Sequence, residues 1–101
     1  MEKMWENVIK MINYSEKGIT SKVIKKNNVG DVTLFCMSKD TEISEHTSTK
    51  SGFVYVIEGN GIFNLEGEDI PMNPGTLIFM DANAKHSLSA KHNTSFILIL
   101  N

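Results

Sequence analysis

Apolar and polar residues alternate with a period of two along most of the chain, and after about residue 15 no run keeps the three-and-four spacing of a helix. Residues 19–25 alternate in this way. In 32–37, Val32, Leu34 and Cys36 interleave with Thr33, Phe35 and Met37, so that strand is apolar on both faces and belongs between two layers. The strongest strand signal is Phe53-Val54-Tyr55-Val56-Ile57, and further short strands are predicted over 43–46, 62–65, 69–72, 76–80, 86–90 and 95–100. Turn chemistry separates them. Asn27-Asn28-Val29-Gly30-Asp31 is one cluster, and Glu58-Gly59-Asn60-Gly61 carries the Asn-Gly signal of a tight hairpin. Asn73-Pro74-Gly75 fits a type II turn, with proline presetting the first central residue and glycine supplying the positive φ of the second. The exception is 5–14, where Met4, Val8, Met11 and Ile12 stand three or four apart; a short helix is predicted there, with an edge strand as the other reading. About eight to ten strands in so short a chain must manage their edges, and closure into a small barrel or jelly roll does so best.

Length and composition narrow the setting. A chain of 101 residues is expected to form one domain, here an N-terminal segment over 1–18 and a barrel over 19–101. The net charge is -2 and all ten basic side chains are lysines, so neither the positive excess nor the bidentate arginine contacts of a nucleic-acid binder are present. The longest apolar runs are five residues, against the roughly 20 that cross a bilayer. Glu2, Lys3, Glu6 and Lys10 break up any signal-peptide core. A cytoplasmic protein with no nucleic-acid or membrane partner is expected. Cys36 is the lone cysteine, so no internal disulfide can form, and its apolar strand makes it a buried structural thiol rather than a nucleophile.

Two stretches place a histidine beside a predicted strand with a glycine turn at a set distance. They are HTSTKSGFVYVIEGNG, from His46 to Gly61, and PGTLIFMDANAKHSLSA, from Pro74 to Ala90. Together they resemble the two motifs of the cupin superfamily, with His46 opening the first and Gly59 closing it, Gly75 opening the second and His86 ending it. The resemblance extends over roughly residues 20 to 100 and is similar to a subgroup of small cupins that share EHT and a truncated site. It implies an all-β fold, the double-stranded β-helix or cupin jelly-roll barrel of two antiparallel sheets, and it places residues 52, 54 and 56 toward the interior. Tyr55 then faces outward or into a partner. The pattern departs where metal ligands are expected: Ser48 holds the second histidine position and Gly52 the glutamate position, while Asp81 and Asn83 replace the proline and inner glycine of the second motif.

What remains is a candidate pocket centred on His46 and His86, with Ser48, Gly52 and Ser87 around it to bind a small-molecule ligand. Gly52, lacking a side chain, is expected to enlarge it. Imidazole is the commonest transition-metal ligand, so His46 and His86 are also the candidate ligands of a divalent metal, Zn, Fe, Mn, Ni or Cu, with Glu42 or Asp81 able to supply an oxygen. Three readings stay open. They are a metal site, a pair of structural histidines bonded to hydroxyls and backbone, and a metal-free pocket whose imidazoles grip an anionic or hydroxylated ligand or act as acid and base. The corresponding functions are a small-molecule-binding cupin, a metal-dependent dioxygenase, isomerase or lyase, and a structural or partner-binding domain. His92, in a polar turn, is read as solvated; Leu77, Phe79, Met72 and Met80 are read as core. Trp5, with Met4 and Val8, is a candidate anchor for a homodimer.

Overall fold

Alternation is realised strand by strand in the computed structural model, which describes residues 3–101. Its strands are β1 (Ile19–Lys26), β2 (Asp31–Met37), β3 (Glu42–His46), β4 (Gly52–Glu58), β5 (Gly61–Leu65), β6 (Glu68–Pro71), β7 (Leu77–Met80), β8 (His86–Ala90) and β9 (Thr94–Leu100). They pair antiparallel in two sheets, one in the order β1-β2-β9-β4-β7 and the other β3-β8-β5-β6. This is the double-stranded β-helix that the motifs imply. Among the described residues no helix is long and apolar enough to cross a membrane.

The inward side chains of both sheets meet in one core, in which Met37, Val54, Val56, Phe63 and Met72 are at most 1% exposed. Period-two geometry explains the membership: on β4, Gly52, Val54 and Val56 are buried while Phe53 and Tyr55 point out. A second apolar cluster lies on the other side of the larger sheet, where Leu34, Cys36 and Ile97 are covered by Val8, Met11, Ile12 and Tyr14 of the N-terminal segment. Strand β2 is therefore sandwiched as its two apolar faces require, Phe35 and Met37 turning to the main core and Leu34 and Cys36 to this cover. The Cys36 thiol is free and buried. Tyr14 fastens the segment, its hydroxyl donating to Glu58 Oε2 at 2.9 Å. Burial, with the Glu58 carboxylate adding to it, pushes the phenol up to about 12, so it stays a donor.

Three local expectations are corrected. The N-terminal segment holds only a 3-10 turn, Val8–Met11, capped by the Asn7 side chain accepting from the Ile9 N–H. The spacing of Val8, Met11 and Ile12 turns one face onto the sheet, while Met4 stays 85% exposed. Gly59-Asn60 does not close a hairpin, because β4 and β5 lie in different sheets and the chain crosses between them. Thr94 holds that corner, its Oγ1 accepting from the Asn60 N–H at 3.1 Å. The two-residue hairpin is instead Glu66-Gly67, both at positive φ, between the paired Leu65 and Glu68 of β5 and β6. Finally, Leu77 and Phe79 are not core: β7 turns Ile78 and Met80 inward, which leaves its other two side chains 51% and 69% exposed. The Asn73-Pro74-Gly75 turn forms as expected, the Thr76 N–H donating to the Asn73 carbonyl at 3.0 Å.

Gly59 and Gly67 separate two reasons for glycine. Gly59 has φ +124° and a Cβ there would sit 2.5 Å from Thr94 Cα, whereas Gly67 has φ +88° with open space around it. Gly67→Ala is expected to cost about 1–2 kcal/mol, the strain of a left-handed alanine alone. Gly59→Ala adds a backbone collision and is expected to exceed about 3 kcal/mol or to prevent folding. Urea unfolding of the two variants measures the difference.

Candidate functional site

One extra residue aims His46. Along β8, alternation turns His86, Leu88 and Ala90 inward and Ser87 and Ser89 outward. Strand β3 pairs with it so that Ile43 faces Leu88 and His46 faces His86, three steps on β3 against two on β8. That inserted residue is a β-bulge, and it reverses the parity of the strand beyond it. Ile43 and His46 consequently both face the interior, which strict alternation forbids. Glu42 does not join them; it lies with Ser44, Ser87 and Ser89 along a groove on the outer face of the smaller sheet. Glu42 is therefore not placed to supply the oxygen expected of it beside the histidine pair.

The two imidazoles, forty residues apart in sequence, are neighbours. Their ring centroids are 4.1 Å apart at an interplanar angle of 60°, and His86 stacks on Phe63 at 5.7 Å with the rings nearly parallel, 4° apart. Each ring is clamped by backbone two residues earlier: His46 Nδ1 lies 2.8 Å from the Ser44 carbonyl and His86 Nδ1 lies 3.0 Å from the Ala84 carbonyl. A carbonyl oxygen can only accept, so Nδ1 carries the hydrogen in both rings and each neutral ring presents Nε2 as an acceptor. His86 is 6% exposed, whereas His46 is solvent-exposed. Burial pushes the His86 imidazole below its ordinary value; the Ala84 carbonyl opposes this, and charge on His46 adds to it. Near neutral pH His86 is accordingly an uncharged acceptor.

Behind the pair is a cavity of about 110 Å³, walled by Phe35, Ile43, Val54, Phe63, Leu88 and Phe96 with His46 and His86 as its polar members. The apolar walls are residues that sequence patterning marks only as core. They come from six strands, β2, β3, β4, β5, β8 and β9, and alternation that points them inward does not tell a filled interior from a hollow one.

Other candidates fall elsewhere. Ser48 is in the loop after β3, where its Oγ accepts from the Lys50 N–H and its carbonyl from the Asn83 N–H. Gly52 is buried in the larger sheet, and a Cβ there would lie 2.6 Å from the Ile99 carbonyl oxygen, so its missing side chain admits a neighbouring strand rather than enlarging the cavity. Ser87 faces the outer groove. Asp81 and His92 are exposed. None of these five lines the cavity.

The donor set therefore consists of two imidazoles. No group of three or more His, Cys, Asp or Glu side chains that could hold a metal ion exists among the described residues. Catalytic metal centres commonly use three protein ligands, so the residues present do not complete a resident site.

Comparison with known proteins agrees with this architecture. A model of the cupin domain matches residues 33–100. A cupin superfamily protein from Desulfitobacterium hafniense superposes with a TM-score of 0.87 at 14% identity, over 99% of this chain and 92% of its own. A conserved protein of unknown function from Streptococcus pyogenes does so with a TM-score of 0.86 at 19% identity, over 99% and 88%. A protein described as a predicted oxalate decarboxylase from Thermotoga maritima gives 0.74 at 16%, over 81% and 78%. No curated protein matches in sequence. With the family pattern spanning most of its strands and its two sheets arranged as in these structures, the chain belongs to the cupin domain family.

Proposed function

We propose that this cupin binds a small hydroxylated molecule, with the apolar body in the cavity and the hydroxyl at the histidine pair. The observation that carries this reading is the pair of Nδ1 clamps, which leaves both Nε2 atoms as acceptors without a protein hydrogen-bond partner among the described residues. An apolar cavity of about 150 Å³ is large enough for benzene. At about 110 Å³ this one suits a ring or short branched chain that enters partway and keeps its hydroxyl level with the imidazoles. Cupins often hold transition metals, and the departures at Ser48 and Gly52 argue against a metal-dependent enzyme here.

Phenol is a suitable probe. Titration followed by NMR is expected to give saturable shifts at Phe63, His86 and Leu88, with benzene binding about five- to tenfold more weakly for want of one hydrogen bond. His86→Ala is expected to abolish the preference for phenol while the fold persists. Equal affinity for the two probes would overturn the role given to the histidines. So would a stoichiometric metal in protein purified without chelators or nickel resin, lost in His86→Ala.

The His86 shift has a signed consequence for stability. The unfolded chain takes up a proton at the ordinary value of 6.5 and the folded chain only at lower pH, so acidification favours the unfolded state. The contribution of His86 is fully present above 6.5 and is lost as pH falls from there toward the depressed folded value. Thermal midpoints measured from pH 7.5 to 5 are expected to fall more steeply for the wild type than for His86→Phe, in which the group that titrates is gone.

A further inference from the structure

The peptide that clamps His86 is itself held from its other end. The Ala84 carbonyl, which accepts from His86 Nδ1 at 3.0 Å, belongs to the same planar amide as the Lys85 N–H, and that N–H donates to Glu66 Oε2. A carboxylate, a peptide and an imidazole therefore stand in one chain of hydrogen bonds. Glu66 also donates its own N–H to the Lys85 carbonyl at 2.9 Å, so its backbone and its side chain both grip Lys85. Register makes this possible: Leu65 of β5 faces His86 of β8, which sets Glu66 opposite Lys85 one step beyond the paired residues.

The turn itself gives no reason for a glutamate. Glu66 has φ +50°, a left-handed conformation that disfavours a side chain with a Cβ, and asparagine is the residue that this turn position prefers. Nor does the hairpin depend on the carboxylate. Asn64 secures it, its Oδ1 accepting from the Gly67 N–H at 3.2 Å and its Nδ2 donating to Asp69 Oδ1 at 2.7 Å. What the Glu66 side chain contributes is a negative charge on the amide next to His86. Donation to a charged oxygen is stronger than to a neutral one and polarises the amide, so the Ala84 oxygen becomes the better acceptor for His86 Nδ1. We infer that Glu66 is a positioning residue for the histidine pair: through the 84–85 peptide it holds His86 in the tautomer protonated at Nδ1 and so keeps Nε2 the acceptor at the cavity. The use of that acceptor by a ligand rests on the proposal that a hydroxyl binds there; the hold on the tautomer does not. Glu66 is exposed and does not line the cavity, so it acts on a ligand only through His86.

Long-range proton–nitrogen NMR spectra of the ligand-free full chain at pH 7.5 test this, because they tell an imidazole protonated at Nδ1 from one protonated at Nε2. In the wild type His86 is expected in the Nδ1–H form. Glu66→Asn suits the turn but shortens the side chain and removes its charge. It is expected to give a mixture of tautomers at His86 and no change at His46, whose clamp is the Ser44 carbonyl, with a thermal midpoint equal to or above that of the wild type. Glu66→Gln, which can still accept from the Lys85 N–H without a charge, is expected to fall between the two. The preference for phenol over benzene is expected to drop about two- to threefold in Glu66→Asn and less in Glu66→Gln. An unchanged His86 tautomer in Glu66→Asn would overturn the assignment. So would a tautomer change matched by a fall in thermal midpoint, the mark of a residue that only props the hairpin. A tautomer change in a protein whose wild type binds phenol and benzene equally would uphold the role of Glu66 and overturn the ligand proposal instead.

Discussion

A β-strand can turn only every second side chain toward a given face, and nearly every feature of this molecule follows from how nine short strands meet that constraint. Two sheets close on one another because each has an apolar row with nowhere else to go. Val54 and Val56 from one sheet meet Phe63 and Leu88 from the other, and Met72 fills space from the connection after β6. The same rule fixes what cannot be buried. Having committed Ile78 and Met80 to the core, β7 must leave Leu77 and Phe79 outside. The second apolar row of β2 is accommodated by drawing the N-terminal segment over it, with Tyr14 tied to Glu58.

The histidine pair is an exception made within that rule. His86 arrives by ordinary alternation, while His46 needs the bulge in β3 to reach the same side as Ile43. Their environments then diverge. His86 is sealed against Phe63 and held neutral by desolvation, whereas His46 stands where solvent reaches it. Matching carbonyl clamps fix the tautomer in both rings, so their free nitrogens form a pair of acceptors above an apolar hollow. The proposed ligand, a donor group on an otherwise apolar molecule, is the counterpart of that arrangement.

Much of this architecture is legible in the amino-acid order because alternation and turn residues are local signals. The strand boundaries of β2, β4, β8 and β9 lie within a residue of those expected, and the cupin-like motifs imply the two-sheet closure that brings residue 46 to residue 86. Global decisions were hidden. Asn60-Gly61 carries a hairpin signature, yet whether a sharp corner returns within a sheet or crosses to the other depends on what each strand finds to pair with. Periodicity shows that Leu77 and Phe79 share a face and cannot say which face wins the core. Counting in twos puts Glu42 on the face of His46, and a bulge is the one event that defeats such counting. Gly52 resembles a vacated ligand position; only the close approach of the Ile99 carbonyl shows a steric reason for it.

The bulge lies on β3, the border strand of its sheet, with β8 on one flank and no strand on the other. Removing one residue between Ile43 and His46 would leave two steps on each strand, so the imidazole would still meet His86 on a regular strand and no other strand would need to change its pairing. The histidine pair is thereby insulated from the loss of a residue at the margin of the sheet, where only the side chains between the two paired positions would change.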